Sequence, residues 1–415
     1  MPTPEVVRRR VWLTAVLTAL LWIVSGTALA QTTTDVPVVP ASSTSPRVGL
    51  VTMAPGIEYW ARFGHNAILI DDGVEPTLYN YGYFDFAQED FLLRFLRGRM
   101  LYRLLAIPLD DDLRGYAADG RGVGVQWLNL TPDQARELDA FLRENARPEN
   151  AEYRYDYFTA NCSTQVRDAL DRALGGTLKR ELSGRSHGYT FRDEARRLSA
   201  SLPWLYLGIH LGLGPFVDKP MSLWEESYVP ERLRDAVREV RRADGAPLVL
   251  GEAELVPATL APAPSTPPEW RLGFAAAGIA LGLMWWFALR IGAPRGLRRS
   301  AAIAVVGLWF ACGVIGLGLL ALWAFTDHSA AWGNENAWLF NPLCLALLPA
   351  AWPLARGAAV PRWASRLALV IALCAGVALF LKFLPFRIQS NGDWIALMLP
   401  IHAVLAWRLA PIGRG

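Results

Sequence analysis

The apolar residues of this 415-residue chain follow two patterns, and the change between them divides the molecule. Before about residue 250, short apolar runs alternate with polar turns, which is typical of strands mixed with amphipathic helices. After residue 270, the apolar stretches approach the ~20 residues that a helix needs to cross a bilayer. The pattern predicts a mixed α/β domain followed by a membrane domain.

The first part of the chain is predicted to contain several short strands. Residues 48–53 form an apolar run, and residues 65–70 and 77–83 flank a turn rich in aspartate, glycine and proline. This arrangement predicts an antiparallel hairpin. Further predicted elements are the amphipathic segment 91–96 and the strands 102–108 and 123–130.

Two helices of this part can be predicted together with their first turns. A capping box with proline at the first helical position is formed by residues 131–134, and it opens a helix to about residue 145. A second helix begins near Cys162, where Asn161 or Ser163 supplies the cap. The apolar residues of one face of this second helix are Val166, Ala169, Leu170 and Ala173. Two glycines at 175 and 176 are expected to end it.

The last third of the chain contains five apolar stretches of near-spanning length. They are residues 271–291, 301–325, 337–355, 367–385 and 394–411. Arginines cluster in the loops after the first and third stretches, whereas the loops after the second and fourth carry only Arg387. Because positive residues favour the cytoplasmic side, the α/β domain is expected outside and the C-terminus in the cytoplasm.

The remaining segments set the predicted domain boundaries. Three arginines, an apolar run and a small-residue site predict a signal peptide over residues 1–30, with an uncleaved anchor as the alternative. Residues 31–47 are predicted as a flexible tether, and the proline-rich residues 254–270 as a linker. The exported domain then covers 48–253, and the membrane domain covers 271–411.

One further apolar segment, residues 202–216, is interrupted by glycines and is too short to span a bilayer. A buried segment is the preferred interpretation, and a loop lying on the membrane is the alternative.

Composition excludes several classes of protein. Hydrophobic residues make up 53% of the chain and charged residues only 19%, which does not fit one soluble domain. The net charge of +3 is small and the arginines are dispersed, so we expect no nucleic-acid partner. The four cysteines include no C-x-x-C pair, so neither a disulfide framework nor a metal site is expected. No cofactor is expected either.

Cys162 is the candidate nucleophile. It is the one cysteine outside the apolar last third of the chain, and it is predicted at a helix N-terminus. The positive end of a helix dipole favours the thiolate, which is the form that attacks a carbonyl carbon. The alternative is a buried cysteine that only packs.

A nucleophilic cysteine needs a base, and the exported part offers three histidines. His65 is the preferred base because it opens a predicted strand directly after a glycine. A strand-end histidine that faces a helix-start cysteine is the layout of papain-like thiol enzymes, here with histidine first in the chain. His187 and His210 are the less favoured alternatives.

The other candidate site residues are polar groups near these two. Asn80 is the preferred third residue that orients the imidazole, with Asp85 and Glu58 as rivals. Arg99 and Arg121 are candidates for binding an anionic head group, and each is alternatively a solvated surface charge. His328, Asn334 and Asn336 share one outside loop near the bilayer, where they either orient a substrate or are only solvated.

Four stretches in order carry a resemblance to a known family: residues 63–65 (FGH), 79–86 (YNYGYFDF), 126–130 (QWLNL) and 155–164 (YDYFTANCST). Residues 48–250 resemble the exported domain of the Bacteroides-type lipoprotein N-acyltransferases, Lnb. The loop with Thr326, His328, Asn334 and Asn336 resembles the membrane half of that family.

The resemblance implies an α+β, circularly permuted papain-like exported domain followed by an all-α five-helix transmembrane bundle. It implies Cys162 as nucleophile and His65 as base for acyl transfer through a thioester. The expected substrates are a phospholipid or a lipoprotein, and the expected location is the bacterial inner membrane. Two alternatives stay open: a cysteine amidase or peptidase that acts on cell-wall peptide or lipid amide, and a non-enzymatic membrane scaffold.

Overall fold

The strands of the exported domain form one antiparallel sheet. The computed structural model describes residues 45–84, 88, 90–290 and 292–410. The predicted signal peptide and most of the predicted tether lie outside these residues, as does Asp85. Seven strands are found in the described part, and their order across the sheet is β6-β4-β3-β2-β1-β5-β7. Their bounds are Arg47–Met53 (β1), His65–Asp71 (β2), Thr77–Tyr83 (β3), Leu101–Pro108 (β4), Val123–Leu128 (β5), Glu152–Arg154 (β6) and Val249–Val256 (β7).

The central strands β1 and β2 are buried on both faces, which explains their nearly continuous apolar sequences. One face, with Leu50 and Ile68, packs against Val166 and Leu170 of the helix that starts at Cys162. The other face, with Val51, packs under Leu109 and Tyr116 of a second helix. The predicted hairpin is confirmed, because Ile68 of β2 pairs with Tyr79 of β3 in antiparallel register.

Nine helices in the described residues surround this sheet. Their bounds are Phe91–Arg97 (α1), Leu109–Ala118 (α2), Pro132–Asn145 (α3), Cys162–Ala173 (α4), Thr177–Ser183 (α5), Phe191–Ser199 (α6), Pro203–Gly212 (α7), Leu223–Glu226 (α8) and Pro230–Glu239 (α9). The predicted capping box of α3 is confirmed, since Thr131 and Gln134 exchange both bonds. Strands β6 and β7 were not predicted, and neither were the helices α2, α5, α6, α8 and α9.

The predicted boundary at residue 253 differs from the structure. Strand β7 continues to Val256, which pairs with Val123 of β5. Beyond it the chain is still bonded to the domain, because the backbone N–H of Thr259 donates to the Gly120 carbonyl and Arg197 donates to the Pro264 carbonyl. Residues 256–264 of the predicted linker are therefore packed against the sheet domain.

The membrane domain contains the helices Arg271–Ala288 (α10), Arg295–Phe325 (α11), Ala351–Arg356 (α12), Arg362–Phe380 (α13) and Gly392–Leu409 (α14). In the described part, four segments are long and apolar enough to cross a membrane: Arg271–Ala288, Arg295–Phe325, Glu335–Arg356 and Arg362–Phe383. The fifth predicted span coincides with α14, whose ends carry Asp393 and Arg408. Its buried face belongs to the same apolar core as the other four.

The third predicted span differs from a regular α-helix. It begins as 3-10 turns at Glu335–Trp338 and Pro342–Ala350 and becomes α-helical only in α12. Prolines at 342, 349 and 353 lack the N–H that an α-helix uses for its ladder, which accounts for the irregular backbone.

Helix α7 connects the sheet domain to the membrane domain. The side-chain amides of Asn334 and Asn336 both donate to the carbonyl oxygen of Leu211, at 2.8 and 2.9 Å. Leu207 and Leu211 pack against the apolar core of the membrane domain. Of the predicted segment 202–216, Tyr206 and His210 are buried as expected, whereas Trp204 is exposed.

Candidate functional site

Cys162 is the first residue of α4, and Asn161 is its cap as predicted. The Asn161 Oδ1 accepts from the backbone N–H of Thr164 at 2.9 Å, and the Thr164 hydroxyl oxygen accepts from the N–H of Asn161 at 2.8 Å. The Asn161 amide also donates to the Tyr228 carbonyl. These bonds fix the direction in which the Cys162 side chain leaves the helix.

Buried polar side chains join the start of α4 to the start of β2. The Ser163 hydroxyl lies 2.8 Å from the Asn66 Oδ1 and 2.6 Å from the Ser227 carbonyl. The Asn66 amide in turn donates to the Thr52 hydroxyl at 2.9 Å. The backbone N–H of Asn66 is near enough to the Cys162 sulfur to lower the pKa of the thiol, so the thiol lies near the strand end that carries His65.

Gly82 allows this close approach on the side of β3. A Cβ at this position would stand 3.2 Å from the Cys162 Cβ, and the backbone has φ +98°. An L-residue rarely adopts that conformation, so both the space and the backbone favour glycine. The strand bulges here, between Tyr81 and Tyr83.

A row of hydrogen bonds runs from Asp112 through Asn80 to the imidazole of His65. The His65 Nε2 is 3.0 Å from the Asn80 Oδ1, and the Asn80 Nδ2 donates to the Asp112 Oδ2 at 3.0 Å. A carboxylate only accepts, so Asp112 selects the amide orientation in which Asn80 presents its oxygen to the imidazole. The proton of neutral His65 then stays on Nε2. The lone pair of Nδ1 is left as the base.

The electrostatic surroundings favour the neutral forms of both His65 and Cys162. Burial and the neighbouring Arg121 guanidinium lower the pKa of His65 to about 4, although the bond to Asn80 acts in the opposite direction. Burial raises the pKa of the Cys162 thiol, and this is partly offset by the backbone N–H groups of Asn66, Ser163 and Cys162 and by Arg121. A thiol and a neutral imidazole are therefore the resting pair.

Tyrosine rings surround the thiol and continue toward the membrane domain. Tyr102 and Tyr155 stack with ring centres 4.0 Å apart, and Tyr155 meets the edge of Tyr157 at 5.7 Å. Burial raises the pKa of Tyr102 to about 12 and that of Tyr155 well above its usual value, and the nearby Cys162 contributes to both shifts. The Tyr157 ring then stacks on His328 at 6.0 Å. The thiol thus lies at one end of a row of aromatic rings that leads to the membrane domain.

The other predicted site residues have well-defined partners. Arg121 is buried beside the site, where its Nε donates to the Ala54 carbonyl at 2.8 Å. Arg99 forms an ion pair with Asp327 at 2.8 Å, and the His328 Nε2 donates to the Phe95 carbonyl at 3.0 Å.

Asn334 and Asn336 lie at the junction between α7 and the membrane domain. Their amides hold α7 to the membrane domain, and no contact of either residue with Cys162 is found in the described ranges.

The alternative candidates for the base and for the residue that orients it have other partners or lie on the surface. The His187 Nδ1 pairs with Glu226 at 2.7 Å, and the His210 Nε2 lies 3.2 Å from Asp393. Glu58 is an exposed residue that precedes a 3-10 turn. Among the residues the structure describes, no group of three or more His, Cys, Asp or Glu side chains is arranged to hold a metal ion.

Two family models match the chain. One, described as the Lnb N-terminal periplasmic domain, matches residues 41–196. The other, described as the Lnb transmembrane domain, matches residues 277–410. The chain belongs to the Lnb family. The predicted family and the order of its two domains are therefore confirmed, and the sheet domain is periplasmic.

The Lnb periplasmic match contains Cys162, His65, Asn80 and Asp112, and it ends within α6. A search of curated proteins and a search of solved structures each gave no significant match.

Sequence reasoning missed two residues of this site. Asn66 is a polar residue in an otherwise apolar strand, which was an available signal. Asp112 follows two other aspartates in the first turn of α2. Its contact with Asn80 depends on how α2 folds back over β3, and no local pattern reports that.

The neutral resting pair makes a prediction about thiol reactivity. Since the pKa of Cys162 is raised and that of His65 is lowered, the thiolate fraction should grow steadily as the pH rises. We expect the alkylation rate of Cys162 by iodoacetamide to increase through neutral pH without a plateau. A thiolate–imidazolium pair would instead give a plateau at about pH 5–7 and would contradict this assignment. The Cys162→Ala variant supplies the background from the other cysteines.

The row ending at Asp112 makes a second prediction. Asp112→Ala removes the acceptor that orients the Asn80 amide, so, if Cys162 is the nucleophile, the rate at which an activated ester acylates Cys162 should fall on the order of tenfold. Asp112→Asn keeps an acceptor oxygen and should restore most of the rate. The control is Asp111→Ala, an exposed neighbour paired only with Arg114. Equal rates for the alanine and asparagine variants of Asp112 would show that Asp112 does not act through amide orientation.

Proposed function

We propose that this protein is a thiol acyltransferase of the bacterial inner membrane that moves a fatty acyl group from a lipid to an amine, through a thioester on Cys162. The observation that carries the proposal is that Cys162 lies near the strand end of His65, whose imidazole is bonded to Asn80, with tyrosine rings that lead to the membrane domain. The arginine distribution supports a cytoplasmic C-terminus.

The positions of the groups support the following chemistry. The His65 Nδ1 accepts the proton of Cys162 as the sulfur attacks the ester carbonyl of a phospholipid. Backbone N–H groups at the start of α4 have no partner within the helix and can stabilise the developing oxyanion. The intermediate then expels the lipid alcohol, which takes the proton back from His65. The product is acyl-Cys162.

The second half of the reaction regenerates the thiol. A neutral amine, such as the free N-terminus of a lipoprotein, attacks the thioester carbonyl and forms an amide. His65 takes a proton from the amine, and Cys162 leaves as the thiolate and recovers that proton. The apolar surroundings support aminolysis over hydrolysis, because they exclude the competing water.

The proposal is tested by following an isotopically labelled acyl chain. The full-length protein in vesicles is incubated with a phospholipid that carries the label, and Cys162 is examined by peptide mass spectrometry. We expect the labelled acyl group on Cys162. Subsequent addition of a diacylglyceryl-cysteine peptide with a free amine should move the label to that amine. The Cys162→Ala variant should carry no label, while Cys374→Ala, which removes another partly exposed cysteine, should behave like the wild type.

Other outcomes decide between the remaining hypotheses. Release of labelled fatty acid without transfer to the peptide would identify a hydrolase. A folded protein that forms no acyl-Cys162, and whose Cys162→Ala variant retains its biological effect, would favour the non-enzymatic scaffold.

A further inference from the structure

Helix α1 exposes an apolar surface that nothing in the described residues covers. Leu92 and Leu96 are 67% and 56% exposed, and Leu93 and Phe95 are exposed as well. The helix buries none of its own residues. A short helix that presents leucine and phenylalanine to water is unfavourable, whereas the same surface suits the boundary between lipid head groups and acyl chains.

The contacts of α1 place it at the level where a transmembrane helix leaves the bilayer. The backbone N–H of Asp327 donates to the Arg97 carbonyl at 2.8 Å, and His328 donates to the Phe95 carbonyl. Asp327 is only two residues beyond Phe325, the exposed last residue of the transmembrane helix α11. Helix α1 therefore lies beside the periplasmic surface of the membrane.

A second exposed apolar cluster lies on helix α7 and the turn before β2. Trp60 and Trp204 are 53% and 62% exposed, and both pack against Tyr59, with ring centres 4.7 and 6.1 Å apart. Helix α7 is itself held to the membrane domain through Leu211. Tryptophan and tyrosine are the residues that favour the membrane–water interface.

The tyrosines near Cys162 reach α1 through direct contacts and lie near the aromatic cluster. Tyr59 of the aromatic cluster lies close enough to Tyr102 to raise the pKa of that ring, which stacks on Tyr155 beside Cys162. On the other side, Tyr157 stacks on His328, which is bonded to α1. The tyrosines near the thiol thus lie between two surfaces that suit lipid, in contact with the α1 side through His328.

We propose that α1 and the cluster of Tyr59, Trp60 and Trp204 insert into the periplasmic leaflet and form the two sides of a portal. A phospholipid acyl chain enters this portal laterally and reaches Cys162 along the tyrosine wall. The insertion is a property of the surface and does not require catalysis, whereas the identity of the entering chain rests on the proposed function.

Photolabelling of the full-length protein in vesicles tests the insertion directly. The probe is a phosphatidylcholine with a diazirine in one acyl chain, and the labelled residues are mapped by mass spectrometry. We expect labels in α1 and at Trp60 and Trp204, in addition to the transmembrane helices. Val74 and Leu250 are equally apolar and exposed but lie on the hairpin turn and on β7, and they should stay unlabelled. Labels confined to the transmembrane helices, or equally frequent at Val74, would overturn the portal.

Introducing negative charge into the apolar surface of α1 gives a second test. In the Leu92→Glu/Leu96→Glu variant, the rate of acyl-Cys162 formation should fall with bilayer phospholipid as the donor. This fold-loss should be at least about tenfold larger than the loss with a water-soluble short-chain acyl thioester as the donor. Val74→Glu, the matched control, should match the wild type with both donors. Equal losses with both donors would contradict a role in lipid entry.

The two tests separate the portal from the catalytic proposal. Labels in α1 without any acyl-Cys162 would support membrane insertion of α1 and contradict the proposed acyltransferase activity. Acyl-Cys162 without labels in α1 would support the acyltransferase activity and contradict the portal.

Discussion

The position of the reactive thiol depends on the hydrogen bond between Ser163 and Asn66. Both side chains are completely buried, and Asn66 is held further by Thr52. Loss of either partner would leave a buried polar group unpaired, at about 1–3 kcal/mol, so the contact resists displacement. Because Cys162 precedes Ser163 and His65 precedes Asn66, this one contact brings the proposed nucleophile and the proposed base to the same end of the sheet. The glycine at 82 then makes room for the thiol.

The same end of the sheet is fixed to the membrane domain at two places. The loop after α11 is bonded to α1 and to Arg99 and Arg154 through Asp327, and α7 is bonded to Asn334 and Asn336. Exposed ion pairs alone contribute little to stability, but here they accompany backbone hydrogen bonds and apolar packing. A site fixed in this way stays beside the bilayer, which suits a substrate that does not leave the membrane.

The sequence predicts those parts of the molecule that local patterns determine. The hairpin of β2 and β3, the capping box of α3 and the cap and buried face of α4 follow from alternation, helical spacing and first-turn residues. The candidate pair of Cys162 and His65 follows from their positions at element ends. Asp112, the Ser163–Asn66 bond and the tyrosine wall arise from contacts distant in sequence, so no local pattern could predict them. Likewise, the sequence suggests Asn334 and Asn336 as candidates for orienting a substrate. In the structure, both side-chain amides donate to the carbonyl of Leu211, a contact that no local pattern predicts.

The central claim is that His65 activates Cys162 and that Asn80 acts only through His65. The most direct measurement is the single-turnover rate of acyl-Cys162 formation in the His65→Ala, Asn80→Ala and doubly substituted proteins. The account predicts that His65→Ala slows the reaction by about 10²-fold or more, and that the double variant matches it within about twofold. Losses that multiply in the double variant, or a wild-type rate in His65→Ala, would contradict the account.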